Sequence, residues 1–256
     1  PPYIKLPSAL GIVLATLLNL GSYPLFYLGR FFNLLMFAVL VYSAVRITPI
    51  GKNVMMTAGL LPMTLHLASS YSYDAGIIGL AFLLTGMCLR AVYGEGLMSR
   101  WEKVGLVVIA ALLAPSKVVY TVIVFLVVLI PRKRFPSTAA SVRFKSIAIG
   151  CSLVAILAFR AAVLLQMSGI ASSGGGVSSR GDEQGTFYSL TGLISDPANT
   201  VLLFLRTFDV QGSFYLETLV GGSLAWFQIE LKAPLYVTVV LLIIVMISFQ
   251  RCEDDN

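Results

Sequence analysis

Pro131-Arg132-Lys133-Arg134-Phe135-Pro136 lies between two long apolar stretches, Val118–Ile130 and Ile147–Leu165, and its reading decides the fold. Three adjacent cations have no place in hydrocarbon, and Lys and Arg in short loops stay on the cytoplasmic side when the flanking segments insert. Reinforced by Arg143 and Lys145, the cluster marks one loop as inside. Every other apolar segment then takes its direction from that loop.

The composition demands this reading. Of the 256 residues, 57% are hydrophobic and only 12% charged, and the mean hydropathy is +0.88, which leaves too little polar surface to cover a soluble core. Segments near the roughly 20 residues that cross a bilayer recur along the chain, and each must be helical, because lipid cannot satisfy backbone amides. The period-two alternation of a membrane barrel is absent. A net charge of +6 would suggest nucleic acid in a soluble protein; here the basic residues gather in loops on one side, so the charge reports topology and no nucleic-acid partner is expected. Cys88, Cys151 and Cys252 are too widely spaced for a disulfide framework or a metal knuckle and read as packing residues. The opening Pro1-Pro2 and the closing CEDDN suggest a piece of a longer protein.

The segments order themselves accordingly into an all-α polytopic bundle of about seven spans with interfacial helices. Leu6–Leu20 is of marginal length, lies in the interface or dips into the membrane, and is followed by a break at Gly21-Ser22-Tyr23-Pro24. Tyr27–Ile47 spans, Asn53–Ser70 returns, and Ala75–Val92 crosses again after the polar turn Ser69–Asp74. Val104–Leu113 and Val118–Ile130 form a hairpin through Ala114-Pro115-Ser116-Lys117; Arg143–Gln166 and Ala233–Phe249 complete the set. Arg46, Lys52, Arg90, Arg100, Lys103, Arg132, Lys133, Arg134, Arg143, Lys145 and Arg251, eleven of the eighteen basic residues, fall on one side, consistent with a multi-pass protein of a cytoplasmic membrane.

Three regions follow: a core bundle over 1–166, an extracytoplasmic segment over 167–232, and a final span with its cytoplasmic end over 233–256. Within the second, Ser172–Gly185 (SSGGGVSSRGDEQG) is too polar to bury a core and is expected to be mobile. Asp196-Pro197 reads as a helix start, Asp as cap and Pro at the first position, leading into an amphipathic helix along the membrane surface. A second apolar piece, Phe214–Phe227, is expected to do the same.

Few residues stand out chemically. Asp74 is the only acid between Pro1 and Leu89 and sits where a span emerges. It either caps the helix that follows or orients a sugar, an acceptor or a metal-bridged phosphate at the mouth of the bundle. Lys117, at the hairpin bend, is either a snorkelling lysine or a contact to an anionic lipid phosphate. Arg30 fits an interface anchor and a phosphate clamp equally well. His66 has no second ligand at metal spacing and reads as a packing residue. Tyr3, Tyr71, Tyr73 and Trp226 are most simply interfacial aromatics. Nucleotide loops, HExxH and a nucleophile elbow are all missing from the sequence.

Several stretches taken together carry a resemblance. PPYIKLPSALG (1–11), GRFFNLLMFAVLVYSAVRITPIGK (29–52), LLPMTLHLASSYSYDAG (60–76) and APSKVVYTVIVFLVVLIPRKRF (114–135), then SDPANTVLLFLRTF (195–208) and AWFQIELKAP (225–234), resemble the bacterial membrane-protein family called domain of unknown function 2142. That family is in turn similar to the type C glycosyltransferases, which take a sugar from a polyprenyl-phosphate carrier on the outer face of the membrane. The resemblance implies a bacterial inner-membrane protein whose partners are the lipid bilayer, a polyprenyl-phosphate-linked sugar and an envelope glycan or lipid acceptor. It implies that Pro1 and Pro2 close the first outer loop, that Asp74 matches a second, catalytic acid, and that Lys117, with Arg30, Tyr3 and Lys5, contacts substrate. The principal acid of those enzymes lies upstream of the Pro-Pro, so the chain is expected to be catalytically incomplete. Ala225-Trp226-Phe227-Gln228 stands where relatives often carry Gly-Trp and an acid. A transporter or flippase of lipid-linked glycan is the alternative, with Arg160 the nearest mid-span charge.

Overall fold

The computed structural model describes residues 2–116, 118–173, 195–220, 223–224 and 229–230 and four helical positions between 240 and 247. Lys117, residues 174–194, the turn 225–228, most of Ala233–Phe249 and the Arg160 side chain lie outside the described residues. The regular elements described are helices apart from one pairing of two-residue strands, β1 (Ser223–Leu224) and β2 (Ile229–Glu230), so the all-α expectation holds. That pairing falls where Phe214–Phe227 was expected to lie on the surface as a separate apolar piece; the preceding helix instead runs on to Val220.

A 3-10 turn, Pro2–Lys5, leads into α1 (Leu6–Leu17). This helix stops at Asn19, which adopts φ 49°: the Leu20 amide donates to Ala15 O at 3.0 Å and the Asn19 amide to Thr16 O at 3.1 Å, the paired bonds of a left-handed helix end. The chain reverses and α2 (Ser22–Ile47) runs back along α1, so that Pro24 belongs to the first turn of a helix and does not break one. Gly11 lets the two backbones touch, since a Cβ there would stand 2.5 Å from Leu28 O. α1 is therefore half of a hairpin with α2.

At the far end of α2, Gly51 takes φ 67° to turn the chain into α3 (Lys52–Gly59). The segment expected to return as one helix over Asn53–Ser70 is broken: Leu61 is extended with ψ 138°, and α4 (Pro62–Ala68) begins after it. The cause is Pro62, which lacks an N–H to donate and disfavours the helical conformation in the residue before it. The Thr64 hydroxyl donates to Ala58 O at 3.5 Å, offering a partner to a carbonyl near the break.

α5 (Asp74–Tyr93) is the axis of the bundle, with ten buried residues. Its glycines 76, 79 and 86 lie against Met36, Leu40 and Ala44 of α2 in that order, so the two helices run in the same direction in close contact. α6 (Arg100–Leu113) packs back along α5 and also against α8 (Thr138–Ser173). Between them α7 (Val118–Val124) tightens into a 3-10 stretch, Phe125–Leu129, and a second 3-10 turn, Arg132–Arg134, precedes α8. The core joins Ile77, Leu84, Leu106, Leu113, Val127 and Ile130 from α5, α6 and this stretch.

By length and composition, three helical stretches among the described residues suffice to cross a membrane: Ser22–Ile47, Asp74–Tyr93 and Thr138–Phe159. Pro2–Leu17 and Tyr120–Leu129 are apolar but shorter. α9 (Pro197–Val220) opens as the sequence indicates: the Asp196 carboxylate accepts from the Asn199 amide at 3.1 Å and from Asn199 Nδ2 at 2.6 Å. Those bonds, made at a fully exposed position, hold the Asp196 carboxyl below its ordinary value.

Candidate functional site

The two ends of α5 are built differently, and the site follows from that difference. Eight of the eleven basic residues grouped by the sequence, from Arg46 and Lys52 through Arg90 and Arg100 to Arg132–Arg134, belong to segments at the C-terminal end of α5 or at the turns beside it. Arg132 and Lys133 are exposed, as topology charges should be. Arg134 is only 4% exposed. Its Nε donates to Ala91 O at 3.0 Å and its Nη1 to Glu95 O and to Gly96 O at 2.5 Å, while the Met98 amide donates to Arg134 O at 3.0 Å. The guanidinium thus satisfies carbonyls where α5 ends and the next loop begins, carbonyls that would otherwise have no partner beside lipid. Beside it, Ser99 and Glu102 form a capping box at the start of α6, and Arg90 pairs with Glu102 at 3.0 Å. Partial burial pushes the Glu102 carboxyl up, but the Ser99 amide, Arg90 and Arg134 together hold it below its ordinary value.

At the N-terminal end of α5 the polar turn Ser69–Asp74 is gripped by α2. Asn33, 1% exposed, donates through Nδ2 to Ser70 O at 2.8 Å, Ser72 O at 3.1 Å and Ala68 O at 3.4 Å. Arg30 donates from Nε to Ser69 O at 2.5 Å and lies over the Phe26 ring at 5.4 Å. Tyr71 donates to Phe26 O at 2.8 Å, its ring filling the space that the missing side chain of Gly29 leaves. Arg30 is therefore a clasp on the turn through Nε, a role neither sequence reading of it contained. Asn33 was not singled out at all, although a lone amide in FFNLLMF is costly in lipid unless it is bonded.

Asp74 is the first residue of α5 and half-buried. Oδ2 accepts from the Ser72 hydroxyl at 3.3 Å, and that hydroxyl oxygen accepts from the Asp74 amide at 3.1 Å. The local arrangement fixes the carboxylate at the positive end of the helix dipole.

The 3-10 turn Pro2–Lys5 docks onto this same end. Ile4 is buried against Gly76, where a Cβ would stand 2.6 Å from Ile4 Cγ2. Tyr3 donates its hydroxyl proton to Leu112 O, packs edge-on to Phe159 at 5.4 Å, and lies beside buried Ser116. Tyr3 thus ties the start of the chain to the bend that closes α6. Lys5 is exposed, with no side-chain hydrogen bond or ion pair to the described residues. The structure brings together Tyr3, the Asp74 turn, Arg30 and Ser116 at one end; Lys117 lies outside the described residues. His66 is half-buried, and its carbonyl accepts from the Ser69 hydroxyl at 3.2 Å.

The turn sits below the tip of the molecule. Asp74 stands about 24 Å from Arg90 along α5, at roughly 1.5 Å per residue, whereas Ser22 stands about 36 Å from Arg46 along α2. The tip of the α1–α2 hairpin therefore rises beyond the turn. It is apolar and exposed, with Leu17 74% and Tyr23 81% accessible.

Apolar helices with lipid-sized exposed faces, polar groups drawn to the two ends and backbone breaks satisfied from within define a helical membrane protein. Residues 1–253 match the family described as predicted membrane protein, domain of unknown function 2142 (DUF2142), and the chain belongs to it. No curated protein and no solved structure matches the chain.

Proposed function

We propose that this is a glycosyltransferase-like, multi-pass protein of a bacterial inner membrane that moves a sugar from a polyprenyl-phosphate donor to an envelope glycan or lipid. The observation that carries the reading is the docking of Pro2–Lys5 onto the opening of α5 and the close of α6, through Ile4 on Gly76 and Tyr3 on Leu112 and Ser116. The resemblance to type C enzymes asks the segment after their first outer loop to meet a second acid and a basic bend. Three stretches far apart in sequence, Pro2–Lys5, the opening of α5 and the close of α6, meet at one end of the bundle, which supports the reading.

The depth of the turn supports the same reading. Its distance of about 24 Å from the basic end, against a hydrocarbon core of roughly 30 Å, supports a position for Asp74 near the opposite membrane edge, where a lipid-linked phosphate would lie. The α1–α2 hairpin walls one side. About seven spans fit this arrangement once α3 with α4, and α7 with its 3-10 extension, each count as one crossing and Ala233–Phe249 as the last.

In this mechanism the Asp74 carboxylate, fixed by Ser72, accepts a hydrogen bond from a sugar hydroxyl. Tyr3 and Lys5 line the approach. Arg30 holds the turn in place through Nε and offers its terminal nitrogens to the phosphate, and Lys117 stabilises the departing phosphate. A general base would take the acceptor proton.

Transfer from a polyprenyl-phosphate sugar, assayed with full-length protein in proteoliposomes, tests this. Asp74→Asn and Lys117→Ala are each expected to lower turnover by about a hundredfold. Unchanged turnover in both variants would remove these residues from the mechanism.

A further inference from the structure

Away from Asp74, towards the basic end, an apolar groove of about 630 Å³ opens between α3, α5 and the α7 stretch. Val54 and Ala58 line one wall, Ala81 and Leu89 the other, and Ile123 closes it. The groove exists because α3 is only eight residues long and leans on α2, where Gly59 touches Val41, and does not close on α5. The polar side chain in its lining, Thr85, spends its proton on Ala81 O at 2.8 Å within its own helix. A polar ligand would lose its water there and find no side-chain donor.

The mouth has the opposite character. Ile50 and Gly51 frame it, and Lys52 follows directly, exposed, with Arg46 exposed on the neighbouring turn of α2. Among the described residues the ion pair is Arg90–Glu102, so neither cation is neutralised there. A hydrocarbon slot below two cations at the membrane edge matches the two halves of an anionic phospholipid.

We infer that this groove is a binding site for one anionic phospholipid from the leaflet at the basic end, an acyl chain lying along Ala58 and Ala81 and the phosphate at Lys52. The site lies towards the other end of α5 from the proposed transfer site and is independent of it.

The test is retention of lipid by full-length protein reconstituted with phosphatidylglycerol or phosphatidylcholine, solubilised, and read by native mass spectrometry. The wild type is expected to keep one phosphatidylglycerol in preference to phosphatidylcholine. Lys52→Gln removes one charge at the headgroup and should lower phosphatidylglycerol retention about fivefold at limiting lipid, leaving phosphatidylcholine unchanged. Ala58→Leu fills the slot and should lower retention of both. Equal retention of the two lipids by the wild type, or unaltered phosphatidylglycerol retention in Lys52→Gln, would overturn the assignment. So would a disulfide formed between Ala58→Cys and a cysteine placed within 233–249, since the chain itself would then occupy the groove.

Discussion

The two ends of α5 solve one problem with different chemistry. A helix that stops beside lipid must satisfy its terminal backbone groups from within the protein. At the basic end Arg134 does this from 43 residues away, burying its guanidinium and spending it on carbonyls. At the other end a neutral amide, Asn33, makes three of the bonds that hold the turn, half-buried Arg30 adds one through Nε, and Asp74 stays half-buried beside them. Where a charge is consumed in closing the backbone, the end is structural. Where a neutral group makes most of the closing bonds, the charged groups stay nearer the surface.

Substitutions can break this contrast, the largest effect coming at the basic end. Arg134→Leu strips donors from three buried or partly buried carbonyls and is expected to cost about 3–5 kcal/mol, read as the denaturation midpoint in detergent. Arg134→Lys should recover only part of that loss, because an ammonium cannot reproduce the planar fork of donors. Asn33→Leu keeps the branched shape but removes the bonds to Ala68, Ser70 and Ser72, and should cost about 2–3 kcal/mol while exposing the 68–73 turn to protease. A cost for Asn33→Leu matching that of Arg134→Leu would erase the distinction between the two ends.

Gly11→Ala drives a methyl into Leu28 O and should cost about 1–3 kcal/mol by prising α1 from α2. Exchange of the α1 amides with solvent would rise while those of α5 stay protected.

The smallest effect is electrostatic. Glu102 titrates below its ordinary value in the folded protein, so its contribution is present above the unfolded-state pKa and is lost as pH falls through the depressed one. Glu102→Gln should flatten that acid limb, a change within about 1 kcal/mol for a pair this exposed. An acid limb of the same slope in the variant would assign the dependence to another group.

What the sequence made legible was local. Ala75–Val92 and Tyr27–Ile47 emerged within a few residues of α5 and α2, because apolar length is decided segment by segment. The Asp196 cap was legible because cap and first turn are adjacent. The broken return over Asn53–Ser70 carried its signal in Pro62, which an apolar-run reading overlooked. Arg132, Lys133 and Arg134 are indistinguishable as letters. Only the tertiary position of the α5 end selects the third for burial. The candidate site was partly visible through Asp74 and Tyr3, whereas Arg30's role as a clasp and the whole of Asn33's depend on contacts 35 to 39 residues away.

The account depends on α5 crossing the membrane with Asp74 and Arg134 at opposite faces. In a background without native cysteines, Tyr73→Cys and Lys133→Cys, both at exposed positions, can be treated with an impermeant thiol reagent in sealed, oriented vesicles. The account predicts that the reagent reaches Tyr73→Cys only from the extracytoplasmic side and Lys133→Cys only from the cytoplasmic side. Labelling of both from the same side would contradict it.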